Sequence, residues 1–335
     1  MTEAELLDAA RGGDQTAFGR LADPYRRPLQ AHCYRMLGSV PDAEDALQET
    51  LLRAWRSLPR FEGRSSLRSW LYSIATNVCL RMIERRPARV LPIDYGQPTD
   101  PHDPFEEPLV ESTWIEPYIH DRFGLQEELA GPAARYEQRE SIELSFIAAL
   151  QHLPARQRAV LILRDVLGLS GGEVADALET TPAAVYSALQ RAHNIVDSRL
   201  PERSQQATLR SLGDERLREL AGRYVEAWER SDIDAIISML TEDAVLAMPP
   251  IPNWYRGHEG VEAALRRGPL NGTLRWQMTP TYANGQLAFG AALWNPATEA
   301  FTPHSMAVLT LRGAEVEQIC AFHDPAAPTH FEGIS

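Results

Sequence analysis

Acidic and amide side chains gather in one short stretch, DAEDALQE, residues 42–49. The stretch opens a helical pattern, so we expect Asp42 to cap a helix, with Glu44 and Asp45 in the first turn, where the helix dipole favours negative charge. Capping does not explain the side chains that follow one helical turn apart on an exposed face. They are Gln48, Glu49, Leu52 and Arg56.

A second segment, FEGRSSLRSWLYSIATN over residues 61–77, combines hydroxyl, guanidinium and aromatic side chains. It is typical of a loop followed by a helix. Polar side chains beside aromatic rings are suited to holding the unstacked bases of a single strand. Trp70 and Tyr72 taken alone are more often core residues, because aromatic residues in helices are usually buried. Both interpretations stay open on the sequence alone.

A third segment, residues 169–192, has the layout of a helix-turn-helix. Ser170 can cap a short helix with Glu173 as its capping-box partner, and Pro182 can open the next helix after a short turn. The second helix would present Tyr186, Ser187, Gln190 and Arg191 on one side. Plain helical hairpins share this pattern, so a DNA-binding function is only one of two interpretations.

The last third of the chain holds side chains that could act as acids or bases, but their spacing predicts no catalytic pair. These candidates are Asp243, His258, His304, His323 and Asp324. Aromatic residues there could line a ligand pocket or pack a core, and nothing in their order decides between the two. They are Trp228, Trp254, Tyr255, Trp276, Phe289 and Trp294.

The elements that carry these side chains change along the chain. Apolar spacing predicts helices throughout residues 1–90 and again over 132–200. Residues 91–121 hold six prolines and an acidic excess, which predicts a linker. From residue 212 we expect a long amphipathic helix, a short helix near 233–240 and then strands. The strand-like runs are 244–248, 274–280, 286–294, 305–311 and 316–322.

Composition excludes several classes of protein. The 335 residues are 44% hydrophobic and 24% charged, ordinary globular values that argue against disorder or a coiled-coil rod. With no long uncharged apolar run and no basic, apolar leader, neither a membrane span nor a secretory signal is expected. Cys33, Cys79 and Cys320 are too far apart for a metal knuckle. We therefore expect a cytoplasmic protein without metal or cofactor.

The net charge of −13 is unevenly distributed. Residues 1–95 carry +2, whereas 96–139 carry −7, 140–203 carry −2 and 204–335 carry −6. All 33 cationic residues are arginine. Arginine suits phosphates and base edges, although genome composition alone can produce this bias. The first segment is thus the basic one, and the acidic linker and last third could lie against it through a weak, salt-sensitive attraction.

Three phrases together resemble the sigma-70 family of RNA polymerase sigma factors, in its extracytoplasmic-function branch. They are DAED with Gln48, FEGRSSLRSWLYSIATNVCL over residues 61–80, and LSGGEVADALETTPAAVYSALQRA over 169–192. The segment from about 212 to 325 resembles SnoaL-like domains, and the phrase WIEPY at 114–118 resembles the linker of sigma factors that carry such an extension. Where the family usually has Asp after the second phrase, this chain has Arg81.

The resemblance implies a multidomain fold of two all-α domains and one α+β domain. Residues 1–92 would be the sigma region 2 helical bundle, 93–131 an acidic Pro-rich linker, and 132–203 the sigma region 4 helix-turn-helix. Residues 204–335 would be a SnoaL-like cone-shaped barrel with a regulatory role. The chain would bind core RNA polymerase, recognise the −35 and −10 promoter elements and promote melting of the DNA.

The resemblance also assigns roles to residues. Core polymerase would contact Asp42, Asp45, Leu47, Gln48 and Glu49. The −10 element would contact Arg64, Ser65, Trp70 and Asn77, and the −35 element Thr181, Ala184, Tyr186, Ser187, Gln190 and Arg191. We expect Trp114, Pro117 and Tyr118 to dock on a neighbouring domain, because apolar side chains in a polar linker need a surface to cover them. Packing on the side of one helical domain is the alternative.

Two further functions stay open for the last third. SnoaL-like folds include polyketide cyclases and isomerases, so an enzyme is one alternative to promoter recognition. A sensor that binds a small-molecule ligand, or a clamp on the sigma domains, is another use of the same cone. The sequence names no ligand.

Overall fold

The structure, a computed structural model, describes residues 1–86, 88–109, 114–119 and 142–323. It divides into two compact units, and each is built from two separate stretches of chain. Unit 1 combines Met1–Arg89 with the described residues up to Leu200, and unit 2 combines those of Val90–His120 with those from Pro201 onward. Every helix in the described part is too short or too polar to span a bilayer.

The first half of unit 1 consists of four helices. They are α1 (Glu3–Arg11), α2 (Gln15–Leu37), α3 (Val40–Ser57) and α4 (Leu67–Ile83). Each begins at a side chain that accepts a hydrogen bond from a backbone N–H of the first turn: Thr2, Asp14, Ser39 and Ser66. The cap of α3 is therefore Ser39, and the expectation that Asp42 caps it is wrong.

The second half of unit 1 contains the helix-turn-helix. Its helices are α6 (Leu144–Gln151), α7 (Ala155–Leu161), α8 (Gly171–Ala177) and α9 (Pro182–Asp197), with a π-helical turn at Ile162–Val166. Ser170 and Glu173 form both bonds of a capping box at the start of α8. Thr181 caps α9 and Pro182 is its first residue. The predicted caps are confirmed because they depend only on neighbouring residues.

A buried arginine joins the two halves of unit 1. Arg158 of α7 is 3% exposed, and its guanidinium donates to the carbonyl of Met36, at the end of α2, and to the side chain and carbonyl of Gln151. Gln151 donates to the carbonyl of Arg35 at 3.4 Å. The carbonyl groups at the end of α2 therefore anchor the second half of the unit.

Unit 2 is a six-stranded sheet with helices. The short α5 (Pro92–Tyr95) precedes α10 (Gln205–Glu229), α11 (Ile233–Ile237) and α12 (Gly257–Arg267). The strands are β1 (Leu240–Ala247), β2 (Trp254–Arg256), β3 (Trp276–Ala283), β4 (Gln286–Asn295), β5 (Ala300–Arg312) and β6 (Glu315–His323). Their order in the sheet is β2-β1-β6-β5-β4-β3, and β1 and β6 are its parallel pair.

The core of unit 2 lies between the sheet and helices α10 and α12. Tyr224 of α10 stacks on Phe289 of β4 with ring centroids 4.4 Å apart, and Trp228 meets Trp276 of β3 edge to face. Val261 of α12 is fully buried in the same cluster. The fold class expected from the sequence, two all-α parts and an α+β part, is confirmed. The short strand β2 and helix α12 were not predicted.

The linker expected at 93–131 packs on unit 2 over its described part. We call residues 90–109 and 114–119 the strap. Trp114 is 3% exposed and pairs with Val90 in a parallel bridge, while the N–H of Thr99 donates to the carbonyl of Trp254 at 2.8 Å. The indole of Trp254 donates to the carbonyl of Gly96 at 2.9 Å. The strap therefore covers the β1–β2 connection.

The end of the strap is held by the β3–β4 turn. Asn284 accepts a hydrogen bond from the backbone N–H of Tyr118 through its side chain and donates its own N–H to the Tyr118 carbonyl, both at 2.8 Å. Its φ of +52° lies in the left-handed region, which asparagine tolerates better than most residues. Ile119 forms a bridge with Ala283 beside it.

We predict that Asn284→Ala releases the end of the strap. Alanine removes the acceptor of the buried Tyr118 N–H, at a cost of about 1–3 kcal/mol, and is strained at positive φ by about 1–2 kcal/mol more. Asn284→Gly should lose only the hydrogen bond. Urea unfolding and protease cleavage within residues 90–119 measure the effect. Asn271→Ala, in another turn, is the matched control, and equal cleavage of all four proteins would contradict the prediction.

Candidate functional site

The outward side of helix α9 carries every residue expected at the −35 element. The buried side, Val185, Ala192 and Val196, packs on unit 1. The outward side chains are all exposed: Thr181, Ala184, Tyr186, Ser187, Gln190 and Arg191. The arrangement therefore offers a continuous polar surface on the second helix of a helix-turn-helix.

Three contacts fix the orientation of α9. The ring of Tyr186, 55% exposed, lies against Gly171, where a Cβ would come within 3.0 Å of the tyrosine oxygen. The guanidinium of Arg164 lies 6.0 Å from the centre of the same ring. Further along, Nε2 of His193 lies 2.5 Å from a carboxylate oxygen of Asp165. The helix is thus braced at both ends by the π-helical turn and α8.

The acidic residues of helix α3 lie in two different environments, one buried and one exposed. The carboxylate of Asp42 is 7% exposed and pairs with Arg86 and, at 2.9 Å, with Arg89. Asp45 and Gln48 are exposed. Asp42 was expected with the exposed group, but its charge lies inside unit 1 and forms ion pairs there.

The exposed part of α3 forms a continuous stripe. Leu47 and Glu49 are half-buried beside Asp45 and Gln48, and Glu49 pairs with Arg53. Leu52, one helical turn beyond Gln48, is 50% exposed, which is unusual for leucine. Acidic, amide and apolar groups thus share one accessible surface.

The residues expected at the −10 element lie in two different environments. Arg64 and Ser65 are exposed in the loop before α4, where Arg64 pairs with Glu62 at 2.5 Å. Trp70 is half-buried against Phe61, with ring centroids 4.8 Å apart. These groups form an accessible patch at the start of α4.

Asn77, in contrast, is covered by the helix-turn-helix. Its side-chain amide donates to the carbonyl of Ser73 at 3.0 Å and to that of Ala177, at the end of α8, at 3.2 Å. Closer to the start of α4, the Ser69 hydroxyl donates to Glu173 at 2.7 Å. Hydrogen bonds from the Ser170 backbone and from Ser69 lower the pKa of Glu173. The two halves of unit 1 are therefore closed on each other along α4.

The acid–base candidates of unit 2 do not form one site. Asp243 is on the exterior, and hydrogen bonds from Arg312, at 2.9 and 3.0 Å, lower its pKa to about 2. Nε2 of His258 lies 3.3 Å from the carbonyl of Leu240. Nδ1 of His323 lies 3.2 Å from Nε2 of His304. Asp324 lies outside the described residues.

One histidine of this pair, His323, borders a small apolar cavity. His323 lines it together with Trp228, Trp276 and Ser305, and its volume is about 20 Å³. Burial lowers the pKa of His323 to about 4. Burial also lowers the pKa of His304 below its usual value. The cavity has room for about one water molecule. Trp254, by contrast, lies under the strap, and Trp294 packs against Phe301.

Comparisons with known proteins agree with this arrangement. The family models Sigma-70 region 2, Sigma-70, region 4 and SnoaL-like domain match residues 21–88, 143–193 and 221–319. The crystal structure of Mycobacterium tuberculosis extracytoplasmic function sigma factor SigJ shares the fold with a TM-score of 0.56 at 21% identity, over 91% of this chain and 95% of that one.

Sequence comparison gives a closer relationship. The ECF RNA polymerase sigma-E factor of Escherichia coli is 26% identical over 200 residues, which are 60% of this chain and 95% of that protein. The ECF RNA polymerase sigma factor SigG of Mycobacterium tuberculosis is 41% identical over 330 residues, which are 96% of this chain and 84% of that protein. A match of this extent, over both helical regions and the extension, means that the chain belongs to the extracytoplasmic-function sigma factors of the sigma-70 family and acts in transcription initiation.

Proposed function

We propose that the chain recruits core RNA polymerase, in the cytoplasm, through the exposed stripe of α3. The stripe consists of Asp45, Gln48, Glu49 and Leu52, which lie three or four residues apart, and the half-buried Leu47 borders it. Its support is the combination of accessible acids with a half-exposed leucine, since interfaces pair an apolar centre with charged groups that fix register. Asp42 orders the start of this helix through Arg86 and Arg89 rather than contacting the polymerase.

Helix α9 is the proposed reader of the −35 element. The observation that carries this proposal is that all six candidate residues share its exposed side. Tyr186, Gln190 and Arg191 have the reach and the donors to contact base edges and phosphates in a major groove. Unit 1 carries little net positive charge, so we expect most of the affinity for DNA to come from the assembled holoenzyme.

Recognition of the −10 element requires unit 1 to open. Arg64, Ser65 and Trp70 are accessible, but the amide of Asn77 is bonded to the carbonyl of Ala177. A base can replace that carbonyl only if α8 moves away from α4. Binding of polymerase to the two regions at separate places would supply the energy for this opening, because a partner that binds the open form better shifts the population toward it.

Unit 2 is proposed to modulate this opening rather than to catalyse a reaction. The first residue of the strap, Val90, follows the end of region 2 and already pairs with Trp114. Region 2 is therefore joined to unit 2 without a longer intervening segment. The cyclase alternative has less support, since the cavity beside His323 holds about 20 Å³ and small-molecule sites are usually more than ten times larger. A ligand of unit 2 would have to open that cavity first.

We predict that Asp45→Arg and Gln48→Ala weaken binding to core polymerase. Charge reversal within an interface costs several kcal/mol, so Asp45→Arg should lower the affinity by about a hundredfold or more. Asp23→Arg, an exposed reversal on α2, is the matched control and should bind normally. Affinity is measured by fluorescence anisotropy of labelled full-length protein with purified core. Unchanged affinity for both variants would remove the stripe from the interface.

We predict that Asp42→Asn acts on stability instead. The amide leaves Arg89 buried without its carboxylate, so the free energy of unfolding of unit 1 should fall by about 3 kcal/mol. Asp45→Asn removes only an exposed charge on α3 and should cost less than about 1 kcal/mol. Urea denaturation followed by circular dichroism compares them. Equal losses of unfolding free energy for the two variants would show that the Asp42 ion pairs contribute no more to stability than an exposed charge does.

We predict that Arg191→Ala reduces protection of the −35 element in holoenzyme footprints. One lost base or phosphate contact is worth about 1–3 kcal/mol, a five- to hundredfold change in affinity. Protection of the −10 element on the same DNA is the internal control, because α4 and its loop are unaltered. A footprint that weakens equally at both elements would argue against recognition by α9.

A further inference from the structure

A large cleft lies within unit 1, between the two sigma regions. Its volume is about 760 Å³. Helices α3 and α4 form one wall, and the start of α7 with the turn after α8 forms the other. Neither the promoter contacts nor the polymerase stripe proposed above uses this cleft as a whole.

The walls are rich in arginine. Arg53, Arg56 and Arg60 come from α3 and the turn after it, Arg81 comes from α4, and Arg156 comes from α7. The acidic residues in the lining are Glu84 and Glu179, so the lining carries a net charge of +3 in a chain of net charge −13. Such a concentration of cations in one concave site attracts anions.

Most of these guanidinium groups are not neutralised by the protein. Arg53 pairs with Glu49. Among the residues that the structure describes, no carboxylate lies within ion-pair distance of Arg56, Arg60, Arg81 or Arg156. Four like charges around one cleft repel each other, and an anion bound between them would remove that cost.

The rest of the lining indicates what kind of anion fits. Ile74 and Leu80 supply an apolar surface, while Asn77 and Ser57 supply hydrogen-bonding groups. Arginine binds phosphate oxygens in a bidentate way, and a volume of 300–1,000 Å³ is usual for sites of small organic ligands. We propose that the cleft binds a nucleoside polyphosphate, with the phosphates on the arginines and the base against Ile74 and Leu80.

The position of the cleft gives the ligand a regulatory consequence. Arg56 and Arg81 belong to region 2, whereas Arg156 belongs to region 4, so a ligand that touches all three holds the regions together. The same closed arrangement covers Asn77. A ligand that binds the closed form better than the open form shifts the population toward it. This consequence, unlike the binding itself, rests on the proposed opening during promoter recognition.

Fluorescence titration of the full-length protein with labelled GTP and ATP tests the binding. We expect affinity to rise from nucleoside to monophosphate to triphosphate and to fall with added salt. Arg56→Ala, Arg81→Ala and Arg156→Ala should each weaken binding about tenfold or more, the worth of one charge-assisted hydrogen bond, and Arg81→Lys should restore part of it. Arg20→Ala, on the exposed side of α2, is the matched control and should bind as the parent does.

Several results would overturn the proposal. Binding that is independent of phosphate number, or that Arg20→Ala weakens as much as the cleft variants do, would show a general attraction to anions. Binding of a single-stranded oligonucleotide but of none of the nucleotides would assign the cleft to DNA instead. Core polymerase affinity without nucleotide is measured in parallel, so failure of the polymerase stripe and failure of the nucleotide site give different results.

The regulatory consequence has its own readout. Donor and acceptor dyes on region 2 and region 4 of the full chain should show higher energy transfer when the triphosphate is added. Transfer that does not change, while the triphosphate binds, would contradict a ligand that holds the regions closed. Transfer that decreases would mean that the ligand favours the open form.

Discussion

The buried guanidinium of Arg158 is the constraint on which the arrangement of unit 1 depends. A charge removed from water needs hydrogen bonds in its place, and Arg158 obtains them from Met36, Gln151 and Leu153. Burial lowers its pKa to about 10, so it remains charged at neutral pH. Among these acceptors the Met36 carbonyl belongs to α2, while Gln151 and Leu153 lie in the second half of unit 1. The Arg158 guanidinium therefore ties the two halves of the unit together at the end of α2. Losing these acceptors would leave a charged group buried without partners.

That packing separates two kinds of functional surface. The outward side of α9 and the stripe on α3 stay accessible, while the amide of Asn77, beside the arginine cleft, is bonded to the second half of the unit. On the roles proposed above, the closed unit presents the groups for encounter with polymerase and the −35 element and withholds one group for reading an unpaired base. Its closing contacts are polar and few along α4, such as Ser69 with Glu173, which suits a contact that must break in use.

The sequence predicted what local chemistry determines. The cap at Ser170, the start of α9 at Pro182 and the exposed side of α9 follow from neighbouring residues and helical period, and the strands of the extension follow from alternation and turns. Asp42 was wrongly expected on the exposed side of the helix, because its ion-pair partners, Arg86 and Arg89, lie more than 40 residues away in sequence. Strand β2 is only three residues long, too short for a periodic signal, and it is held by pairing with β1.

The strap has a consequence for the order in which the protein is made. Tyr118 leaves the ribosome long before Asn284, and 166 residues separate the two partners. Unit 1, whose residues end at Leu200, can fold while the second stretch of unit 2 is still being synthesised. Until that stretch emerges, Trp114 and Tyr118 have no sheet to cover them, and they are exposed to chaperones and proteases. Biosynthesis therefore passes through a stage at which the sigma regions are complete and their attachment to the extension is not.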